Sequence, residues 1–256
     1  MAESGARRRR VVDLSHTIRE GMTTYPGLPG PRIRTHVGRD DARAQLRGEA
    51  SFHIGVIELV ANTGTYLDTP FHFHERGADC ATADVGRMVD LACVVVDVRG
   101  QRTIGPEMLP EGPLTGAAVL FRTDRSSLFG KPEYAVDSPF LTRPLVEALV
   151  REWPALVGID ALNVDDVDDP ARPAHSMLLG AGIFVVEHLT RLAQVPARGA
   201  RFTAVPAPVE GMGTMPVRAV AVLGGPSLGE SVLSQTRAPA EQRSRGRTGW
   251  SEKSPA

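Results

Sequence analysis

Cysteine is nearly absent. Cys80 and Cys93 are the only two in 256 residues, one in a polar loop and one inside the apolar run from Leu91 to Val96. Two such residues make neither a disulfide framework nor the paired spacing of a zinc ribbon, and they fit a reducing, cytoplasmic setting. Long apolar runs are also missing. None approaches the roughly 18 residues of a membrane helix, and the basic cluster Arg7 to Arg10 leads into Val11-Val12-Asp13 rather than the apolar core of a signal peptide. Charge of one sign is not in surplus either. A formal net charge of -1 argues against a nucleic-acid surface and for a small-molecule partner. No H-E-x-x-H and no phosphate loop occurs. Gly225 to Gly229 matches G-x-S-x-G, but no Asp or His follows Ser227, so a nucleophile elbow would lack its triad.

What is present is an ordinary globular composition, 42% hydrophobic and 23% charged, at a length that buries a full core. Residues 1–10 read as a flexible basic start, 11–224 as the folded domain and 225–256 as a disordered polar tail poor in apolar residues. Strands alternate with short helices, which argues for an α/β fold with mixed sheets and few long helices. Strands are expected over Val11–Ile18, Pro31–Val37, Ala92–Val98, Ala117–Arg122, Leu156–Asp160 and Gly182–Glu187, with two more in Arg201–Glu210 and Val217–Leu223. Helices are expected over Ala83–Leu91 and after Thr142, the latter with Leu145, Val146, Leu149, Val150 and Trp153 on one stripe.

The chemistry is expected in the stretch from Ala61 to His74. It holds Asp68, His72 and His74 within seven residues, after the run Ile54 to Val60 that alternates like a half-buried strand. On an extended chain Asn62, Tyr66 and Asp68 share one face, and Pro70 ends strand pairing, so Asp68 and His72 leave the strand together. The Pro/Gly loop Gly21–Pro31, with Tyr25, is suited to lining a pocket. A bland alternative has these groups capping a sheet edge beside solvated histidines.

A second polar cluster runs from Asp160 through Asn163, Asp165, Asp166, Asp168 and Asp169 to His175. Its acidic density suggests a cation, but several carboxylates read as a solvated loop, and the offsets of an EF-hand are not met. Glu187 follows four apolar residues. A buried glutamate there is costly unless paired or bound to metal, so it is a candidate ligand, whereas His188 and Thr190 read as surface residues.

Asn62-Thr63-Gly64-Thr65-Tyr66-Leu67-Asp68-Thr69-Pro70-Phe71-His72 resembles the H-x-G-T-H-x-D-x-P-x-H signature of the metal-dependent cyclase/hydrolase superfamily that includes bacterial kynurenine formamidase (arylformamidase) and isatin hydrolase. The two leading histidines differ. Asp13-Leu14-Ser15-His16, Tyr25-Pro26-Gly27, Gly158-Ile159-Asp160, His175 to Glu187 and Gly211 to Leu223 extend the resemblance over about residues 11–224. It implies a swivelling β/β/α-type fold, a homodimer and a zinc or manganese centre. In such enzymes one ion is held by both signature histidines and the aspartate, a second by that aspartate with a later histidine and glutamate, and the last histidine is the acid/base. Carried over, Asp68, His175 and Glu187 hold one divalent ion and His72 moves protons. Asn62 and Tyr66, with His74 and Tyr25, become substrate contacts. Amide and phenol are poor ligands beside imidazole, so the first ion site is expected to be lost or much weakened. The implied activity is hydrolysis of a small amide or lactam such as N-formylkynurenine. The competing readings are a metal-free ring-closing cyclase or dehydratase of polyketide metabolism, and a degenerate small-molecule-binding homologue.

Overall fold

The computed structural model describes residues 9–224; the basic residues before Arg9, the expected tail and the G-x-S-x-G match lie outside them. The first third of the chain contains strands β1 (Arg10–Asp13), β2 (Arg32–Val37), β3 (Ile54–Glu58) and β4 (Tyr66–Asp68), with helix α1 (Arg39–Gln45) between β2 and β3. Then come β5 (Leu91–Asp97), β6 (Thr103–Ile104), β7 (Ala118–Arg122), β8 (Phe140–Leu141), helix α2 (Arg143–Glu152) and β9 (Leu156–Ile159). Helix α3 (Pro173–Gly180), β10 (Phe184–Glu187), β11 (Ala200–Thr203), β12 (Thr214–Pro216) and β13 (Val220–Leu223) complete the domain.

Nine of these strands form one mixed sheet in the order β1-β13-β11-β5-β7-β9-β10-β4-β12. Its centre, β5-β7-β9-β10, is parallel, and both flanks are antiparallel. Parallel strands must be covered on both faces, which is why these segments are near-continuous Val, Ile, Leu and Ala. On one face Val94, Val119, Phe121, Val157 and Val185 pack against Leu145, Val146 and Leu149 of α2 and Leu178 and Leu179 of α3. On the other, Leu67, Leu120 and Val186 meet Val12, Phe202 and Ala221 from the far strands, so the sheet curls over its own second core. The α/β expectation with few long helices therefore holds.

Four expectations differ. The run Ile54 to Val60 does not carry the motif into the main sheet. β3 pairs with β2 in a separate ribbon whose Ile33 and Ile57 are exposed, and Gly64 at φ +70° turns the chain before β4 begins. Ala83–Leu91 forms only a single 3₁₀ turn, Val85–Arg87, because Asp84 spends its side chain on Gly86 N–H and Asp90 adopts φ +52°. Trp153 leaves the apolar stripe of α2, since it ends the helix at φ +50° and is exposed. The described residues after β10 hold three strands rather than two: β11 stops at Thr203, and the three-residue β12 is too short to show a period.

Gly213 is where β12 meets the motif. A Cβ on it would stand 2.5 Å from the His72 backbone nitrogen and 2.6 Å from its Cα, both immovable main-chain atoms. Gly213→Ala is therefore expected to destabilise the protein by about 1–3 kcal/mol through overpacking, read as a lower denaturant midpoint; an unchanged midpoint would show that the β12 loop shifts freely.

Candidate active site

Ladder register brings the polar groups together. In the β10/β4 pair Glu187 lies opposite Tyr66, and in the β12/β4 pair Thr214 lies opposite Asp68. Opposed residues point to the same face within side-chain reach. Accordingly the Tyr66 hydroxyl donates to Glu187 Oε2 at 2.6 Å, and the Thr214 hydroxyl donates to Asp68 Oδ1. His175 comes from α3, which docks across the strand ends. Its Nδ1 is 2.6 Å from Asp165 Oδ2, and the Asp165 carboxylate also accepts the backbone N–H groups of Ala174 and His175. Asp165 thereby satisfies free donors at the start of α3 and fixes the ring, leaving Nε2 to face the site.

His175 Nε2 stands 3.6 Å from Asp68 Oδ2 and 3.6 Å from Glu187 Oε1, too far for a hydrogen bond to either. All three side chains are buried. His72 Nε2 is 3.8 Å from Asp68 Oδ1 and remains partly exposed. Asp68, His72 and His175 each offer one atom within 4.8 Å of the others'. A cavity of about 510 Å³ opens in front of this cluster. Tyr25, Leu28, Phe73 and Arg172 line it, together with Asn62, Tyr66, His72, His175 and Glu187.

Burial and neighbouring charge act against each other throughout the cluster. Burial disfavours charge on His175, yet Glu187, Asp165 and Asp68 outweigh it and raise its pKa to about 10. Burial pushes Glu187 up, with Asp68 adding to the rise and His175 opposing it. Burial holds His72 below its ordinary value, against the pull of Asp68. Among the described residues Asp68 Oδ2 is a buried carboxylate oxygen with no hydrogen-bond partner. Such an atom is costly unless something else meets it. Imidazole nitrogen and carboxylate oxygen are donors that zinc and manganese accept, so the residues present fit a divalent ion.

Of the residues named from the sequence, His72, His175, Glu187, Tyr66, Asn62, Asn163 and Tyr25 line one pocket, and Asp68 is buried beside His72 and His175. His74 does not line it. Its Nε2 bonds the Ser176 carbonyl at 2.9 Å and its ring packs over Gly180, so it clamps α3 rather than facing the cavity. His188 is the opposite case: it is fully buried, because its backbone turns inward at φ +54° and its ring lies between Tyr134 and Tyr66. Asp165 and Asp160 are buried as well. Asp160 accepts from the Thr123 hydroxyl and from the Thr123 and Asp124 N–H groups, a loop brace rather than a site residue. Nothing in the local spacing separates these two from the exposed Asp168 and the half-buried Asp169.

The Cyclase family model matches residues 12–166. The chain belongs to the Cyclase family. Among curated members, it is 31% identical to a kynurenine formamidase of Salinibacter ruber over 216 residues, covering 82% of this chain and 96% of that protein. It is 28% identical to a kynurenine formamidase of Bacillus thuringiensis over 210 residues, covering 82% and 95%. Two solved structures share this Cyclase fold at 25% identity. Isatin hydrolase A from Ralstonia solanacearum superposes with a TM-score of 0.73 over 84% of this chain and 92% of that one. Isatin hydrolase A from Labrenzia aggregata bound to benzyl benzoate gives 0.74 over 87% and 96%. No helix among the described residues is long and apolar enough to cross a membrane.

Because Asp165 holds Nδ1 of the His175 ring, Asp165→Asn is expected to weaken zinc or manganese binding about 10–100-fold, measured by titration calorimetry. Affinity equal to the wild type would assign the orientation of His175 to α3 packing instead.

Proposed function

We propose that the chain is a hydrolase of a small aryl amide or lactam, with N-formylkynurenine as the first candidate substrate. The observation that carries the reading is His175 Nε2 at 3.6 Å from both Asp68 Oδ2 and Glu187 Oε1 at the buried end of an open cavity. The names of the related formamidases and isatin hydrolases support the reaction class. Asp68, His175 and Glu187 would hold one divalent ion, zinc or manganese. When bound, that ion supplies Lewis acidity, polarising a carbonyl and making water a better nucleophile.

The remaining work falls to the chain's own groups. Tyr25, Leu28 and Phe73 offer an apolar wall for an aryl ring, and Arg172 offers charge at the same cavity. His72 is the member of the cluster on the solvent side, with its Nε2 near Asp68. It takes a proton from the attacking water at Nε2 and returns it to the leaving nitrogen, as an acid/base within reach of the reacting atoms must. Thr214 holds Asp68 in place from behind.

Elemental analysis of protein incubated with zinc or manganese, paired with an N-formylkynurenine and isatin hydrolysis assay, tests this. One ion per chain is expected in the wild type and none in Asp68→Ala or Glu187→Ala. His72→Ala is expected to keep the ion and lose at least about 100-fold in kcat, the usual share of a general acid/base. Loss of the ion from His72→Ala would make His72 a ligand. An ion-free wild type would sink the proposed chemistry.

A further inference from the structure

Glu187 is held by more than the strand it sits on. Its Oε1 accepts the Val164 N–H at 2.7 Å and its Oε2 accepts the Tyr66 hydroxyl at 2.6 Å. Behind Tyr66, His188 Nε2 lies 3.3 Å from the same hydroxyl, and the Tyr134 hydroxyl lies 2.9 Å from His188 Nδ1. All four side chains are buried.

The direction of each bond follows from counting protons. A phenol has one proton, and Tyr66 gives it to Glu187, a carboxylate oxygen that can only accept. His188 Nε2 must then carry its hydrogen and donate to the Tyr66 oxygen. A neutral imidazole has one N–H, so Nδ1 is the acceptor, and the Tyr134 hydroxyl fills it. The result is a one-way line, Tyr134 to His188 to Tyr66 to Glu187, with the Asn62 side chain also reaching the Tyr66 hydroxyl. The His188 backbone is fixed independently, since its carbonyl accepts the Thr65 hydroxyl at 2.6 Å.

The geometry points to Tyr66 as a positioning residue: anchored by His188 and Tyr134, its hydroxyl pins Glu187 Oε2 and leaves Oε1 as the single oxygen offered toward His175 and the ion. This rests on the ion proposed above and adds how the chain orients one of its ligands. Without the Tyr66 hydroxyl only the Val164 N–H would hold the carboxylate, and the ion would meet a less organised site. Tyr66 acts through Glu187 and need not touch substrate to matter.

The test is titration calorimetry of the full chain with zinc, comparing wild type, Tyr66→Phe, His188→Asn and the double variant, with metal-free melting curves as the check on folding. Tyr66→Phe is expected to bind about 10-fold more weakly or worse, and His188→Asn to bind more weakly than wild type. Because both act through the same hydroxyl, the double variant is expected to match Tyr66→Phe alone. Losses that multiply would indicate general loosening and overturn the inference, as would Tyr66→Phe affinity within about twofold of wild type, well below the usual effect of such a partner. Should Tyr66→Phe not fold, Tyr134→Phe breaks the line at its far end; a smaller loss in the same direction is expected, and unchanged affinity overturns the inference. A wild type that binds no zinc or manganese would instead remove the ion on which both this inference and the proposed function rest.

Discussion

Two carboxylates buried beside one imidazole set the terms for everything around them. Asp68 and Glu187 lie at 0–1% exposure, each 3.6 Å from His175 Nε2. Removing each ionised group from water costs several kcal/mol, on the order of the whole margin by which a domain is folded. The surroundings are built to offset that cost. Thr214 and Val164 donate to the carboxylates, Tyr66 donates to Glu187, and Asp165 holds the imidazole in the one orientation that faces both. Among the described residues Asp68 Oδ2 is a buried carboxylate oxygen left without a hydrogen-bond partner. A cation meeting that oxygen would lower the energy of the folded chain as well as equip the pocket, so binding and folding are coupled at this point.

The sheet is what makes such a cluster rigid. β4 has only three residues, yet it is paired on both sides, by β10 and by β12. Each pairing contributes one opposed residue, Glu187 from one neighbour and Thr214 from the other. Sequence-distant groups thus reach Tyr66 and Asp68 with main-chain precision. His175 arrives on a helix, and Asp165 ties that helix to the loop after β9 through three bonds to one carboxylate.

The parts of this that could be read from the sequence are those whose signal is local. The parallel strands β5, β7, β9 and β10 are continuous apolar runs, and burial on both faces leaves no other pattern open to them. The Asp68 to His72 motif is compact enough to carry its resemblance without a structure. Glu187 stood out because a carboxylate at the end of an apolar strand demands a partner. By contrast, β12 is too short for any period, and the ribbon strand β3 alternates as a half-buried strand does while packing against no core. His188 and Tyr134 were hidden for another reason. Whether a histidine after a strand faces water or the interior is decided by one backbone angle, here φ +54°, and by a tyrosine 54 residues earlier in the chain.

Tyr66 shows how a side chain that is poor as a ligand can still serve a ligand site. A phenol offers one donor and accepts at the same oxygen, so it can stand between an imidazole and a carboxylate and pass direction from one to the other. Its position opposite Glu187 in the ladder fixes which carboxylate it serves. An imidazole at residue 66 could also reach Glu187, but it keeps an acceptor for the His188 N–H only while it is neutral. A charged ring presents a second N–H there, and the line back to Tyr134 would then have to reverse or break. The phenol and the His188 tautomer therefore form one unit, and a change at residue 66 is felt at Tyr134 as well as in the pocket.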